Sequence, residues 1–425
     1  MTITLAHVEG RTIDLLGAGI DNTALLPHLS SAARIRVWVD EPETMASSTR
    51  TACAAAGASV GAIHAWSPGD LIVRSPGFPP YRADIASALS RIPPEFVTTA
   101  VNLWLESHGR RFPIVIITGT KGKSTVARML ASILPTSALV GNIGTPIWSL
   151  DPPVDGTPIV CEISSYQAVN MTHRADLGVL TSLSEDHVSW HGSVERYQAD
   201  KLGPVRRADR ALTISGLVDS LSDHPNLRTA SDASYPKLDP MPGHMATNAR
   251  LALTAADWLH TDLGVSVAAE PDGVIAGLPP MIGRLRELAS PDAHRWFDDS
   301  LASNPSGAAA AVMAFTGADL WLILGGIDRH VSPEPLIEAL RATTRTISAV
   351  AVPDNGRELI GQIVSAGIEL EQFLQAPDVA GAVSEIRSHA VRPSTVLFSP
   401  GAPTPPQHQN WSVRSAAFEA AVVDQ

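Results

Sequence analysis

The sequence predicts an α/β protein built from three parallel-sheet domains, and three observations predict it. Short apolar runs of strand length alternate with helical stretches along the chain. The runs end in Gly, Asp or Ser-Pro-Gly, where ligands of such sheets sit. A helical connector and a Pro-rich segment interrupt the alternation, and 425 residues are too many for one ordinary core. The predicted divisions are 1–96, 97–280 and 281–425.

In the first division the runs are RTIDLLGAG from Arg11, RIRVWVDEP from Arg34 and DLIVRSPGFPP from Asp70. Gly17 and Gly19 open a dinucleotide-type turn whose third glycine is missing, so the motif alone is weak. Asp40, at the end of the next strand, could accept hydrogen bonds from a nucleoside, or serve as a helix cap. A helical connector is expected around Val97 to Arg111.

The second division opens with FPIVIITGTKGKSTVARMLASIL, a β-branched strand running into a Gly-rich turn and a helix. Gly119, Thr120, Lys121, Gly122, Lys123, Ser124 and Thr125 form the strongest local signal. Backbone N–H groups of such a loop cradle phosphates, Lys123 neutralises the outer ones, and Ser124 or Thr125 can ligate Mg²⁺. The strict eight-position phosphate loop needs Gly where Ile117 stands, so a shorter GTxGKS variant fits better. Glu162 ends the strand in TPIVCEIS and suits a Mg²⁺ ligand, or a surface cap. LGVLTSL ends in Ser184-Glu185-Asp186-His187, where acidic residues and a histidine could complete a divalent-metal site. A basic and polar stretch near Lys201 and a helix after Asn248 follow. The Pro-rich GLPPMIGR marks the second linker, beyond which RWFDDS, LWLILGG, TISAVAVP and STVLFSPG are four strands of another parallel sheet.

Composition bounds the function. Hydrophobic residues make up 44% and charged residues 17%, with no run of eighteen apolar residues, so a membrane-spanning chain is not expected. The opening MTITLAHVEGRTID lacks the charged and apolar regions of a secretory signal, so a cytoplasmic address is expected. A formal net charge of -12 argues against nucleic acid as a partner and leaves nucleotides open. Cys53 and Cys161 suggest neither a metal knuckle nor a disulfide framework, and both are expected as buried thiols.

Taken together, GTKGKST, EISSYQA, SEDHVSWHGSVERYQADK, GHMATNARLA, GRLRE, FDDSLASN, LGGIDRH and SPGAPTPPQHQNW resemble the ordered motif series of the Mur ligases, most closely the MurD branch. The series runs through all three divisions in order. The resemblance implies a Rossmann-like N-terminal domain, a central P-loop ATPase domain and a Rossmann-like C-terminal domain. It further implies an ATP-dependent ligase that phosphorylates a substrate carboxylate and lets an amino-acid amine attack the acyl phosphate. The substrates would be ATP, UDP-N-acetylmuramoyl-L-alanine and glutamate, the enzyme acting as a monomer in peptidoglycan precursor synthesis.

By motif position, Lys123 and Ser124 would meet the γ-phosphate and Mg²⁺, Glu162 one metal ion and His187 another, with Mn²⁺ a possible substitute. Lys201 matches a lysine that is carbamylated to support the second ion; the alternative is a surface lysine. Asn142, Ser164 and Gln167 match positions near substrate, and Asn248 one near adenine. Arg284 and Asp299 match residues that reach ATP. Gly17, Asp40 and Ser75 would take the uridine diphosphate end.

Departures from the MurD pattern concentrate where that branch binds D-glutamate. The usual NDSKATN is DDSLASN here, placing Leu301 and Ser303 where lysine and threonine stand. Arg329 replaces a lysine, and Thr404 and Trp411 replace a serine and a phenylalanine. Guanidinium and ammonium are not interchangeable, so the acidic substrate must sit differently. An L-glutamate-adding enzyme is the economical reading. Its alternatives are an ordinary D-glutamate ligase, a folylpolyglutamate synthase-like ligase and a non-catalytic ATP-binding scaffold.

Overall fold

In the computed structural model, the described residues are 3–143, 145–150, 153–230, 235–239, 241, 243–279, 281–328, 331–405 and 411–423. They fall into two compact units, Met1–Met241 with Met245–Gly277, and Pro242–His244 with Leu278–Gln425.

The first unit holds two sheets. β1 (Thr12–Leu16), β2 (Arg34–Val39), β3 (Ser59–Ala62), β4 (Leu71–Arg74) and β5 (Val97–Thr99) pair in the order β3-β2-β1-β4-β5, all parallel. β1 is central, and its last four residues are buried, as in a strand covered on both faces. Its one carboxylate, Asp14, is fully buried and accepts from Arg36 Nε at 2.6 Å, Trp38 Nε1 at 2.9 Å, Trp66 Nε1 at 3.0 Å and Gly69 N at 2.6 Å. Val97–Thr99 departs from the expected helical connector. These three β-branched residues add a strand to the sheet, and the helix Ala100–His108 starts only after Thr99, whose hydroxyl accepts from Asn102 N.

The second sheet contains β6 (Ile114–Thr118), β7 (Ala138–Gly141), β8 (Ile159–Glu162), β9 (Leu177–Leu180), β10 (Arg210–Thr213) and β11 (Leu227–Thr229). Its order is β11-β10-β9-β6-β8-β7, again all parallel. β6 therefore lies between β8 and β9, so the three motif-bearing strands end side by side. The stretch around Lys201 is the interior of the helix Val194–Arg207, capped by Ser193. Asn248 lies inside the helix Gly243–Leu263 instead of preceding it.

The second unit has one sheet: β12 (Arg286–Leu288), β13 (Arg295–Asp298), β14 (Asp319–Leu324), β15 (Ile347–Ala351), β16 (Gln372–Gln375) and β17 (Ser394–Phe398). The order is β12-β13-β17-β14-β15-β16, with β12 antiparallel to β13 and the other pairs parallel. Sequence reading anticipated four of these strands. β12 and β16 are edge strands with little buried apolar surface, and such strands leave a faint pattern. Among the described residues no helix is long and apolar enough to cross a membrane.

Candidate active site

The loop Gly119–Gly122 joins β6 to the helix Lys123–Ile133. Gly119 has φ +147°, and a Cβ there would overlap Thr181 Oγ1; Gly122 has φ +84°, and its Cβ would lie 2.7 Å from Asn248 Oδ1. Both positions therefore require glycine. Lys121 N donates to Ser182 Oγ at 2.6 Å, and Thr120 Oγ1 shares a 2.8 Å bond with Tyr197 OH. Lys123 Nζ donates to Thr120 O at 3.3 Å. No side chain caps the start of the helix, whose first turn holds Lys123, Ser124 and Thr125. An uncapped helix start beside a lysine fits a phosphate group, because the first N–H groups of a helix lack internal partners.

At the end of β8, Glu162 is 1% exposed. Its Oε1 accepts from Asn142 Nδ2 at 2.9 Å, while Oε2 is buried with no hydrogen-bond partner among the described residues. A buried, unpartnered carboxylate oxygen is costly unless a cation meets it, so Glu162 fits a Mg²⁺ ligand. His187, beyond β9, stands at φ +52°. Its Nδ1 lies 2.8 Å from Tyr166 OH. With Nδ1 engaged, Nε2 is the nitrogen suited to a metal. Among the described residues, no group of three His, Cys, Asp or Glu is clustered to hold a metal ion. Oxygen ligands from water and phosphates would have to complete such a site, as is usual for Mg²⁺.

Lys201 is 2% exposed and donates to Gly119 O at 2.8 Å. Burial pushes its ammonium well below the usual lysine range; Lys123 lowers it further, while Asp186 and Glu162 oppose the shift. A surface lysine is thereby excluded. The neutral amine this favours is the form that can add to CO₂.

Gly17, at φ +85°, packs against Ser75, whose Cβ would lie 2.8 Å from a Cβ on residue 17. Ser75 N donates to Leu16 O, so the ends of β1 and β4 are held side by side. Asp40 is exposed and pairs with Arg82 at 2.8 Å. Ser164 and Gln167 form a capping box on the short helix Ser165–Ala168, and Gln167 Nε2 donates to Asp21 Oδ2 at 2.9 Å. Both thus carry local structural roles, and Gln167 is 3% exposed.

In the second unit, Arg284 is partly buried, near Leu301, to whose carbonyl its Nη1 donates at 3.5 Å. Asp299 is 5% exposed and accepts from Ser399 Oγ at 2.7 Å; burial pushes its carboxyl up to about 7. Leu301 and Trp411 approach one another at Gly283, where a Cβ would lie 3.2 Å and 3.0 Å from their side chains. Thr404 Oγ1 is buried with no hydrogen-bond partner among the described residues. Ser303 lines a cavity of about 280 Å³ together with Asn304, Asp328, Asn355, Glu358 and Pro403. Arg329 lies outside the described residues.

Sequence reading missed Tyr166, Thr181, Ser182 and Tyr197. All four lie within the quoted motif segments or the strand LGVLTSL, but their residue types alone do not set them apart from structural side chains.

Residues 117–209 match the model of the Mur ligase middle domain. A UDP-N-acetylmuramoyl-L-alanine--L-glutamate ligase of Micromonospora sp. is 30% identical over 388 residues, 84% of this chain and 82% of that one. A UDP-N-acetylmuramoylalanine--D-glutamate ligase of Frankia casuarinae is 29% identical, covering 97% and 94%. Among solved structures, the MurF ligase of Thermotoga maritima in complex with ADP is similar at a TM-score of 0.57 and 14% identity, covering 99% and 97%. With the phosphate loop, the Glu162 carboxylate and the buried Lys201 converging within the matched segment, the chain belongs to the Mur ligase family.

Proposed function

We propose that this ligase joins L-glutamate to UDP-N-acetylmuramoyl-L-alanine at the expense of ATP. The observation that carries the ATP-dependent chemistry is Glu162 Oε2, a buried carboxylate oxygen that no described residue meets, on the strand beside the phosphate loop.

The first sheet, with Gly17, Asp40 and Ser75, would receive the uridine diphosphate end of the precursor. The second would receive ATP on Gly119–Thr125, with Lys123 countering the charge of the γ-phosphate. Mg²⁺ or Mn²⁺, when bound, would neutralise phosphate charge, with Ser124, Glu162 and His187 as ligands. A carbamate on Lys201 would add anionic oxygens beside Gly119. The precursor's alanyl carboxylate would take the γ-phosphoryl group, and the glutamate amine would then displace phosphate from the acyl carbon. Ser164, Gln167 and Asn142 border the place where that carboxylate would arrive. In the second unit, Ser303, Thr404 and Trp411 would shape the glutamate site. We take the enzyme to act in the cytoplasm as a monomer.

Identity does not separate the enantiomers, since one relative of each name stands at 30% and 29%. What supports the L-glutamate reading is that Leu301, Ser303, Thr404 and Trp411 all depart from the D-glutamate pattern. Keeping the amine and α-carboxylate in place while inverting the α-carbon redirects the γ-carboxylate, which then needs new partners. The test is phosphate release from ATP and the precursor with each glutamate enantiomer. A kcat/KM for D-glutamate equal to or above that for L-glutamate removes the stereochemical reading, and no release with either removes glutamate.

A further inference from the structure

We propose that Asp200 is a positioning residue for the ligation, clamping the loop that follows β4 to the helix that carries Lys201. The proposal rests on the ligase reading for its substrates and on geometry alone for the clamp.

The helix Val194–Arg207 grips the phosphate loop through Lys201, which donates to Gly119 O at 2.8 Å, and through Tyr197, whose hydroxyl is 2.8 Å from Thr120 Oγ1. Asp200, next in sequence to Lys201, engages different parts of the unit. Its Oδ2 accepts from Tyr81 OH at 2.7 Å and lies 2.7 Å from His191 Nδ1. His191 is fully buried, and its Nε2 is 3.0 Å from Ser165 Oγ, the first residue of the helix behind Glu162. One carboxylate oxygen therefore links the loop after β4, the turn after His187 and the segment after β8.

The chemistry assigns the protons. Asp200 accepts, so His191 Nδ1 donates to it, and Nε2 shares the second bond with the Ser165 hydroxyl. Burial, and then Asp200 itself, push the Tyr81 hydroxyl up, so it stays a donor through the neutral range. The cations facing this group are Arg74 and Arg196, the latter 4.7 Å from the centre of the Tyr81 ring. Arg74 is a second strap across the same junction. Fully buried at the end of β4, it donates to Ser75 O at 3.1 Å and Phe78 O at 3.0 Å on its own loop, and to Tyr166 O at 2.8 Å.

Successive helical residues are about 100° apart, so a displacement of Asp200 moves Lys201 with it. The loop from Ser75 to Tyr81, which would border the precursor's diphosphate, is thus tied to the same rigid element as the phosphate loop. Occupancy of the phosphate loop should steady the loop after β4, and the Tyr81–Asp200 bond is the link.

Two variants test this, Y81F and D200A. Hydrogen exchange at the amides of Gly77, Phe78, Tyr81 and Arg82 is followed with and without ATP and Mg²⁺. Wild-type protein should exchange at least threefold more slowly with nucleotide, and both variants should lose that protection while binding ATP within about twofold of wild type. Equal protection in the variants, or a wild-type loop indifferent to ATP, overturns the clamp. In turnover, each variant should raise KM for the muramoyl nucleotide about tenfold with KM for ATP unchanged, and the double variant should match D200A because the bond that Y81F cuts is one of those D200A removes. Additive effects, or lowered Tm with wild-type kinetics, also overturn it, leaving Asp200 a packing residue. The exchange arm uses ATP alone, so a failure of the glutamate reading would not disturb it. Wild-type turnover beside an unresponsive loop would sink the clamp and spare the ligase.

Discussion

Replacing Glu162 by Gln separates a metal ligand from a structural acid, because the two roles predict different signs. The substitution keeps volume and leaves an oxygen to accept from Asn142 Nδ2, the 2.9 Å bond that Oε1 now makes. It removes a charge from a side chain that is 1% exposed and whose Oε2 has no partner among the described residues. An orphaned buried polar group costs on the order of 1–3 kcal/mol, and more when charged. A neutral amide lessens that cost without abolishing it, so the metal-free protein should gain about 1 kcal/mol and melt a few degrees higher. Catalysis should move the other way. A lost anionic ligand forfeits several kcal/mol of charge stabilisation, and about 3 kcal/mol is roughly a hundredfold in rate. Thermal melts in chelator and kcat/KM over a Mg²⁺ series measure both quantities. A variant with activity within threefold of wild type, or one that melts well below it, would refute the reasoning.

Lys123→Ala should abolish phosphate release while leaving Tm within a few degrees, since the side chain donates to the Thr120 carbonyl in its own loop; near-normal turnover removes the phosphate-loop assignment. Lys201→Ala should lose activity and regain part of it with a small added carboxylate, and wild-type rates in that variant dispose of the carbamate. The same lysine predicts a pH effect in CO₂-free buffer. With its folded basicity lowered, the unfolded chain binds more protons between the depressed value and about 10.4, so stability should rise with pH there relative to Lys201→Met. Asp299 has the opposite sign. Its carboxyl, raised to about 7, contributes stability below about 4 that is lost as pH rises through 7, so Asp299→Asn should gain on wild type in melts between those limits.

Much of the fold was readable because buried parallel strands are written as continuous apolar runs. Ile114–Thr118 and Asp319–Leu324 could hardly be anything else. What escaped was short or half-exposed. Val97–Thr99 is three residues long and abuts a helix, and Gln372–Gln375 alternates between partly buried and exposed positions. In the site, glycines and charged residues at strand ends could be found by type. Tyr197 and Ser182 could not, because their importance comes from which strand ends lie next to each other. The orphaned oxygen of Glu162 is likewise a property of packing. The sequence placed an acid there and could not tell a ligand from a cap.

The position of β6 between β8 and β9 has a further consequence. Neighbouring strands in a sheet run about 4.8 Å apart whatever their side chains, because peptide hydrogen bonds set that spacing. The separations among the phosphate loop, the Glu162 turn and the His187 turn are therefore quantised by the backbone, and lengthening a connection elsewhere cannot rescale them. A ruler of this kind is indifferent to the identity of the incoming amino acid. If Ser303 and Thr404 shape the amine site as proposed, descendants of such a scaffold could trade one amine for another by editing the second unit, while the proposed phosphate-handling end would keep its dimensions without selection having to adjust them.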